Sequence, residues 1–266
     1  MNVLWIFAHP EPRSLGGALR DEGLRTLRAQ GANVRESDLY AMKWKAVVDA
    51  DDFGAAAHSG SAAPFEPGQS DRLIVGSTSK TAFETGELSD DIRAEHEKLD
   101  WADTVIVQFP LWWYGMPAIL KGWFDRVFVK GFAYGVRRSD GKTSRYGEGA
   151  LAGKRAMVLL TAGAPEATIG PRGVNGEIDD LLFPLQHGTL WYAGMSVLPP
   201  VTVCGADRVS PEQYDAAVEA LRDRLRTLST RDPIPFRRQN GGDYDEDLVL
   251  RADLAPGRSG NGVHLL

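Results

Sequence analysis

One cysteine, Cys204, stands in a chain of 266 residues. An internal disulfide is therefore excluded, a thiolate zinc cluster cannot be assembled, and thiols this scarce suit a reducing cytoplasm. The five histidines, His9, His58, His96, His187 and His264, lack metal-ligand spacing, and no metal site is expected. Blocks of lysine and arginine are also missing and the net charge is −6, which argues against a nucleic-acid groove or a polybasic membrane patch. Long apolar runs are absent. The best candidate, Thr104 to Leu120, is interrupted by Gln108, Pro110, Gly115 and Pro117 and followed by Lys121, so no membrane span is expected. The opening MNVLWIFAHPEP has no charged leader and breaks at His9-Pro10; it reads as a first strand rather than a signal peptide. Neither GxGxxG nor GxxxxGK follows that strand, which disfavours a nicotinamide-binding Rossmann half and a P-loop.

What is present is a core-forming chain, 43% hydrophobic, with short runs rich in Val, Ile and Leu alternating with helical patterns. Strands are predicted over Asn2 to Ala8, Asn33 to Leu39, Thr104 to Phe109, Arg155 to Thr161 and Ser196 to Val203. Helices are predicted over Leu15 to Gln30, Leu88 to Asp100, Met116 to Phe128, Glu177 to Tyr192 and Pro211 to Leu228, with Ser14, Ser89 and Ser210 as opening caps. Five strands alternating with five helices predict an α/β fold. It is a doubly wound five-stranded parallel sheet of order 2-1-3-4-5 with helices on both faces, whose ligand sits at the switch point between strands one and three. The unit spans residues 1 to 229. Ala50 to Gly86 is too long for an ordinary crossover and is either disordered or a functional cover. Lys130 to Gly149 reads as a hairpin around a Ser-Asp-Gly turn. Residues 230 to 266 have too few packed apolar positions for a domain and read as an extended arm along the body or a partner subunit.

The most informative stretch is Gln108 to Tyr134, QFPLWWYGMPAILKGWFDRVFVKGFAY. It runs from a buried strand through an aromatic loop into a helix started by Pro117, whose stripe is Ile119, Leu120, Trp123, Phe124 and Val127. Leu111 to Tyr114 could be core, but one loop cannot bury Trp112, Trp113 and Tyr114 on one side, so at least one ring should face a cleft or a partner. In the predicted fold this loop converges with His9 to Ser14 and Thr161 to Ala164. Ser14 caps a helix, and Gly16-Gly17 lets backbone approach closely, making that helix start a phosphate cradle. His9 either hydrogen-bonds a phosphate or satisfies nearby backbone.

The segments AHPEPRSLGGAL, ESDLYAMKW, QFPLWWYGMPAILKGWFDRVF followed by GFAY, LLTAG, and GVNGEIDDLLFPLQHGTLWYAGM resemble the NAD(P)H:quinone acceptor oxidoreductases, the DT-diaphorase group of the flavodoxin-like superfamily. The resemblance covers about residues 1 to 229. It implies a homodimer with bound FAD, FMN being the lesser alternative, that oxidises NADH or NADPH and passes two electrons to quinones by a ping-pong route. It further implies that His9, Ser14, Leu15 and Gly16 hold the diphosphate side, that Pro110, Leu111, Trp112, Trp113 and Tyr114 line the isoalloxazine, and that Thr161, Ala162, Gly163 and Ala164 complete the cradle. Trp113 and Tyr114 would also border the acceptor, with Tyr134 reaching across the dimer and Tyr192 standing where the family has another aromatic. The adenine end is expected from the long insertion and from Ser210 to Asp215.

Two departures stand out. The family's tyrosine and histidine that handle the proton are replaced by Ile169 and Asn175, so any catalytic role falls to Asn175, which can donate a hydrogen bond but cannot shuttle a proton near neutral pH. A second tyrosine after FAY is replaced by Val136. Two alternative readings remain: an FMN-type azo- or nitroreductase, and an accessory flavoprotein subunit docking on a potassium-efflux channel.

Overall fold

The computed structural model describes residues 1–57, 73–137 and 141–266. Its sheet is built from β1 (Asn2–Phe7), β2 (Asn33–Asp38), β3 (Thr104–Pro110), β4 (Arg155–Ala162), β5 (Ser196–Val197) and β6 (Val201–Cys204), all pairing parallel. The order is β2-β1-β3-β4-β5, as the alternation predicts. The fifth strand is not continuous, however. Pro199 and Pro200 lack the N–H groups a ladder needs, so the expected strand over Ser196 to Val203 divides. Its pieces pair with the two ends of β4, at Arg155 and Ala156 and again from Leu159 to Ala162.

Alternation along the strands assigns the two faces. Leu4, Ile6, Val105, Val107, Val158 and Leu160 join one core with α3 (Asp90–Trp101) and α4 (Ala118–Val127). Val3, Trp5, Phe7, Ile106, Met157 and Leu159 join the other, against α1 (Leu15–Ala29) and α6 (Pro211–Arg226). All seven residues of β3 are buried, as a strand covered on both faces should be. Of the three expected caps two act through their side chains; Ser89 stands at the N-cap of α3, but its hydroxyl donates to Asp91 Oδ1 and takes no helix N–H. Ser14 Oγ accepts the Gly17 N–H, and Ser210 with Gln213 forms a reciprocal capping box.

The long insertion holds structure that its composition conceals. A 3₁₀ segment covers Ala50–Ala57, and α2 runs over Val75–Thr85 to a left-handed C-cap at Gly86, φ 74°. Its Ser- and Thr-rich inner face buries Thr78, Ser79 and Ala82 instead of large apolar side chains, so no helical stripe was visible. Residues 58–72 of the insertion lie outside the described residues. The predicted helix over Glu177 to Tyr192 also divides. α5 spans Ile178–Leu185 and contains Pro184, after which Gln186–Trp191 widens into π geometry, because a proline removes one intrahelical donor and crowds the preceding turn. Of the predicted hairpin the described residues show an antiparallel bridge between Arg137 and Thr143, next to the Ser144 N–H donating to Val136 O. Ser139 and Asp140 of its turn lie outside the described residues. The arm returns to the body. Ile234 N–H donates to Val197 O, Phe236 pairs with Leu265 and is buried, and Arg237 N–H donates to His264 O. No helix among the described residues is long and apolar enough to cross a membrane.

One glycine is fixed by packing. A Cβ on Gly23 would stand 2.2 Å from the Trp5 ring, and that ring is fully buried with its Nε1 donating to Gln108 Oε1 at 2.8 Å. Helix propensity favours alanine there by about 1 kcal/mol, but overpacking a pinned indole costs about 1–3 kcal/mol. Gly23→Ala should therefore lower the urea midpoint, and a raised midpoint would show that Trp5 can shift freely.

Candidate functional site

The carboxyl ends of β1, β3 and β4 surround a cavity of about 130 Å³ lined by His9, Ser14, Leu15, Gly16, Pro110, Leu111, Trp112, Thr161 and Gly163, with Ala206 and Asp207 closing one side. This is the switch point, since β1 and β3 are neighbours and their crossovers leave to opposite faces. Size alone would point elsewhere: a depression of about 890 Å³ follows the arm and one of about 780 Å³ lies beside β6. Only the small cavity gathers backbone donors, a helix start and aromatic rings at strand ends.

The cradle starts from a buried amide. Gln108, 1% exposed, receives the Trp5 indole N–H and donates through Nε2 to Gly16 O at 2.7 Å. That bond fixes the first turn of α1 against β3. Gly17 is required there, because a Cβ would fall 1.9 Å from Pro12 O. Ser14 Oγ takes the Gly17 N–H at 3.1 Å, while the amides of Leu15 and Gly16 meet no acceptor among the described residues. Two free N–H groups at the positive end of a fifteen-residue helix form an anion cradle. His9 Nδ1 lies 3.0 Å from both the amide and the carbonyl of Glu11, so either tautomer is anchored from that side and Nε2 stays free for the cavity. Next to it the exposed Glu11 carboxyl is held at about 2, chiefly by the Arg13 side chain donating to it.

Across the cavity, Leu111 N–H donates to Thr161 O at 2.8 Å, tying the aromatic loop to the end of β4. The amides of Gly163 and Ala164 find no acceptor among the described residues. Gly163 also faces Asp207, whose Oδ2 would lie 2.7 Å from an added Cβ. Sequence reasoning missed Asp207. It looked to Ser210 to Asp215 for this region, whereas Ser210 is occupied in capping α6, as Gln213 is too.

The aromatic loop is a tight turn. Trp112 and Gly115 exchange both backbone hydrogen bonds at 3.0 Å, and the two residues between them have positive φ, 49° at Trp113 and 59° at Tyr114. Positive φ at both central positions is the type I′ arrangement, which favours Asn-Gly. Here two bulky aromatics occupy it. Trp112 borders the cavity, its ring centroid 6.2 Å from that of His9. Trp113 does not line it in the single chain: the indole is 98% exposed. Tyr114 is half exposed and donates its hydroxyl to Asn175 Oδ1 at 2.7 Å; Asn175 Nδ2 donates in turn to Thr168 Oγ1 at 2.9 Å, and Thr168 donates to Pro165 O at 2.7 Å. Thr168 is thus a positioning residue that sequence reasoning did not mark. Ile169 packs against the core.

Tyr134 and Tyr192 are not at this cavity. They line a separate depression of about 430 Å³ with Met116, Phe124 and Phe128. Burial pushes both Tyr134 and the neighbouring Tyr146 hydroxyls up, so neither ionises near neutral pH. Cys204 ends β6, where burial raises its thiol too. Among the described residues no His, Cys, Asp or Glu cluster could hold a metal ion.

Comparison with known proteins agrees with this geometry. A family model described as the flavodoxin-like fold matches residues 1–228. A ribosyldihydronicotinamide dehydrogenase-like protein of Penicillium crustosum is 45% identical over 271 residues, covering 99% of this chain and 95% of that protein. NAD(P)H dehydrogenase [quinone] 1 of Rattus norvegicus is 35% identical over 234 residues, 88% of this chain and 80% of that protein. Among solved structures, a candidate quinone reductase from Klebsiella pneumoniae superposes with a TM-score of 0.91 at 52% identity, covering 100% of both chains.

Left-handed backbone costs a bulky residue about 1–2 kcal/mol, and the Tyr114 to Asn175 hydrogen bond returns about 1 kcal/mol. The double variant Trp113→Asn, Tyr114→Gly should therefore be more stable than the parent by about 1–3 kcal/mol in urea denaturation. A less stable variant would show that the aromatic rings are packed and not merely presented.

Proposed function

This chain belongs to the flavodoxin-like family, within its NAD(P)H:quinone oxidoreductase group, and from that premise we propose that it carries two electrons from NADH or NADPH to a quinone through bound FAD. The observation that carries the reading is the coincidence, at one switch point, of unpartnered amides at a helix start with an aromatic loop tied to the next strand. When bound, the flavin supplies the hydride acceptor and donor chemistry, alternating between nicotinamide and quinone in ping-pong order. The protein supplies orientation and electrostatics.

The amides of Leu15 and Gly16, with Ser14 and His9 beside them, would hold the diphosphate, and Gly16 without a side chain leaves that backbone open. Pro110, Leu111 and Trp112 would support the ring system, and Gly163 and Ala164, carried at the end of the strand by Thr161 and Ala162, would present N–H groups to its polar edge as preorganised donors. Trp113 and Tyr114 would border the flat acceptor, with Trp113 presented outwards for a ligand or a second chain to cover. Tyr134 and Tyr192, lying apart from the cavity in their own chain, would serve the site of a second copy in a homodimer. Asn175 orients the Tyr114 hydroxyl and is itself held by Thr168; its amide holds a proton at Nδ2 and passes none on. The proton that accompanies hydride is then drawn from water reaching the half-exposed Tyr114. Residues 1–229 carry this chemistry and the arm closes over them.

The test is to purify the protein, release and chromatograph its flavin, and follow oxidation of each nicotinamide with a small quinone. FAD in the extract and turnover with NADH or NADPH are expected. Colourless protein, or yellow protein inert with both nucleotides, overturns the reading, and FMN in the extract overturns the cofactor. Trp113→Ala should reduce quinone turnover about tenfold, equivalent to about 1.4 kcal/mol of transition-state stabilisation, with flavin content retained. Equal loss of flavin and turnover would move Trp113 from the acceptor wall to flavin retention.

A further inference from the structure

Away from the strand ends, the arm and the body enclose a second cavity, of about 410 Å³. The body gives Tyr146, Phe183 and His187, and the arm gives Arg237, Tyr244 and His264. Its volume is within the range of pockets that bury small organic ligands. The walls are flat rings. His187 stacks on Phe183 with centroids 4.5 Å apart and planes at 14°, lies 5.0 Å from Tyr146 and 5.5 Å from His264, and meets Phe236 at a steep angle.

Polar groups in such a place are normally satisfied. His264 is, because its Nδ1 lies 2.9 Å from the Tyr244 hydroxyl. His187 differs: the residue is 9% exposed, neither ring nitrogen hydrogen-bonds another described residue, and neither is sealed from solvent, so its polar edge stays open to the cavity. A ligand oxygen reaching that edge would replace water there with a direct hydrogen bond. Burial, with His264 adding to it, holds His187 at about 4, so near neutral pH the ring offers one N–H and one lone pair.

The charge around the cavity has one sign. No carboxylate lines it. Arg237 is already paired with Asp243 at 2.8 Å, but Arg145 forms no ion pair among the described residues and only donates through Nε to Gln239. A partly buried guanidinium keeps its charge in all conditions and seeks a planar anion.

We propose that this cavity is a binding site for a flat aromatic carboxylate, distinct from the strand-end site, with the ring held among Tyr146, Phe183 and Tyr244, its oxygen accepting from His187 and its charge met by Arg145. Because half the wall is arm, the ligand fastens the arm to the body. Pro184 and Gly188 line this cavity and also the depression of Tyr134 and Tyr192, so a single kinked segment separates the two.

The test is calorimetric titration of the flavin-loaded protein with 2-naphthoate near neutral pH. One equivalent per chain is expected. His187→Phe keeps the ring stacking but removes both nitrogens, and should weaken binding at least tenfold. Leu248→Trp should do the same by narrowing the opening; Leu248 is 42% exposed on the lip, so this variant decides the matter even where His187→Phe fails to fold. The neutral 2-naphthamide should bind at least tenfold more weakly than the acid, and Trp113→Ala should leave the affinity of the acid unchanged. No binding, affinity indifferent to Leu248→Trp, equal binding of the amide, or loss of binding in Trp113→Ala would each overturn the proposal. The last would place the probe at the strand ends.

Discussion

Everything at the strand ends depends on one buried amide. Gln108 belongs to β3 by backbone, but its side chain takes the Trp5 indole from β1 and reaches the Gly16 carbonyl at the start of α1. A polar side chain in an otherwise apolar strand is costly unless every polar atom it faces is satisfied, and here the geometry satisfies three elements at once. The arrangement fixes the height of the helix start above the sheet. It also explains why Trp5 is pinned, why Gly23 must lack a side chain beneath it, and why the loop from His9 to Ser14 folds back against Gly17. The free amides at Leu15 and Gly16 are then a result of packing, held in place before any ligand arrives.

The aromatic loop follows a different logic. Its turn uses backbone conformations that Asn and Gly adopt with least strain, and fills them with Trp and Tyr. Backbone strain of this kind persists where the surroundings determine it, and it is found at binding sites more than elsewhere. The surroundings here are identifiable: the hydrogen bond from Leu111 to Thr161 on one side, and the Tyr114, Asn175 and Thr168 series on the other. With Asn175 and Ile169 behind it, the loop is supported by an amide and an apolar side chain, neither of which titrates near neutral pH.

How much of this was legible follows from the kind of signal each feature gives. Sheet order, both core faces and the caps at Ser14 and Ser210 could be read because periodicity and capping chemistry are local. The α2 helix was hidden because Thr78 and Ser79 do the burying, and the break at Pro199-Pro200 was passed over because the flanking Val and Leu residues still read as one strand. Asp207 and Thr168 act through contacts set by the tertiary fold, and no pattern around them announces it. The aromatic loop was marked by composition, but its turn type was not, since Trp-Tyr is no turn signal. His187 and His264 were noted only as lacking metal spacing; their meeting requires the arm to fold back.

That return of the arm has a consequence for the life of the protein in solution. A sheet ending in the two-residue β5 would expose unpaired backbone groups at its rim, ready to recruit a strand from another molecule. The Ile234 N–H bonded to Val197 O, with Phe236 tucked behind it, blunts that rim. In a chain shortened to residues 1–229 the β5 part of that rim would be bare, an edge open to pairing with another strand.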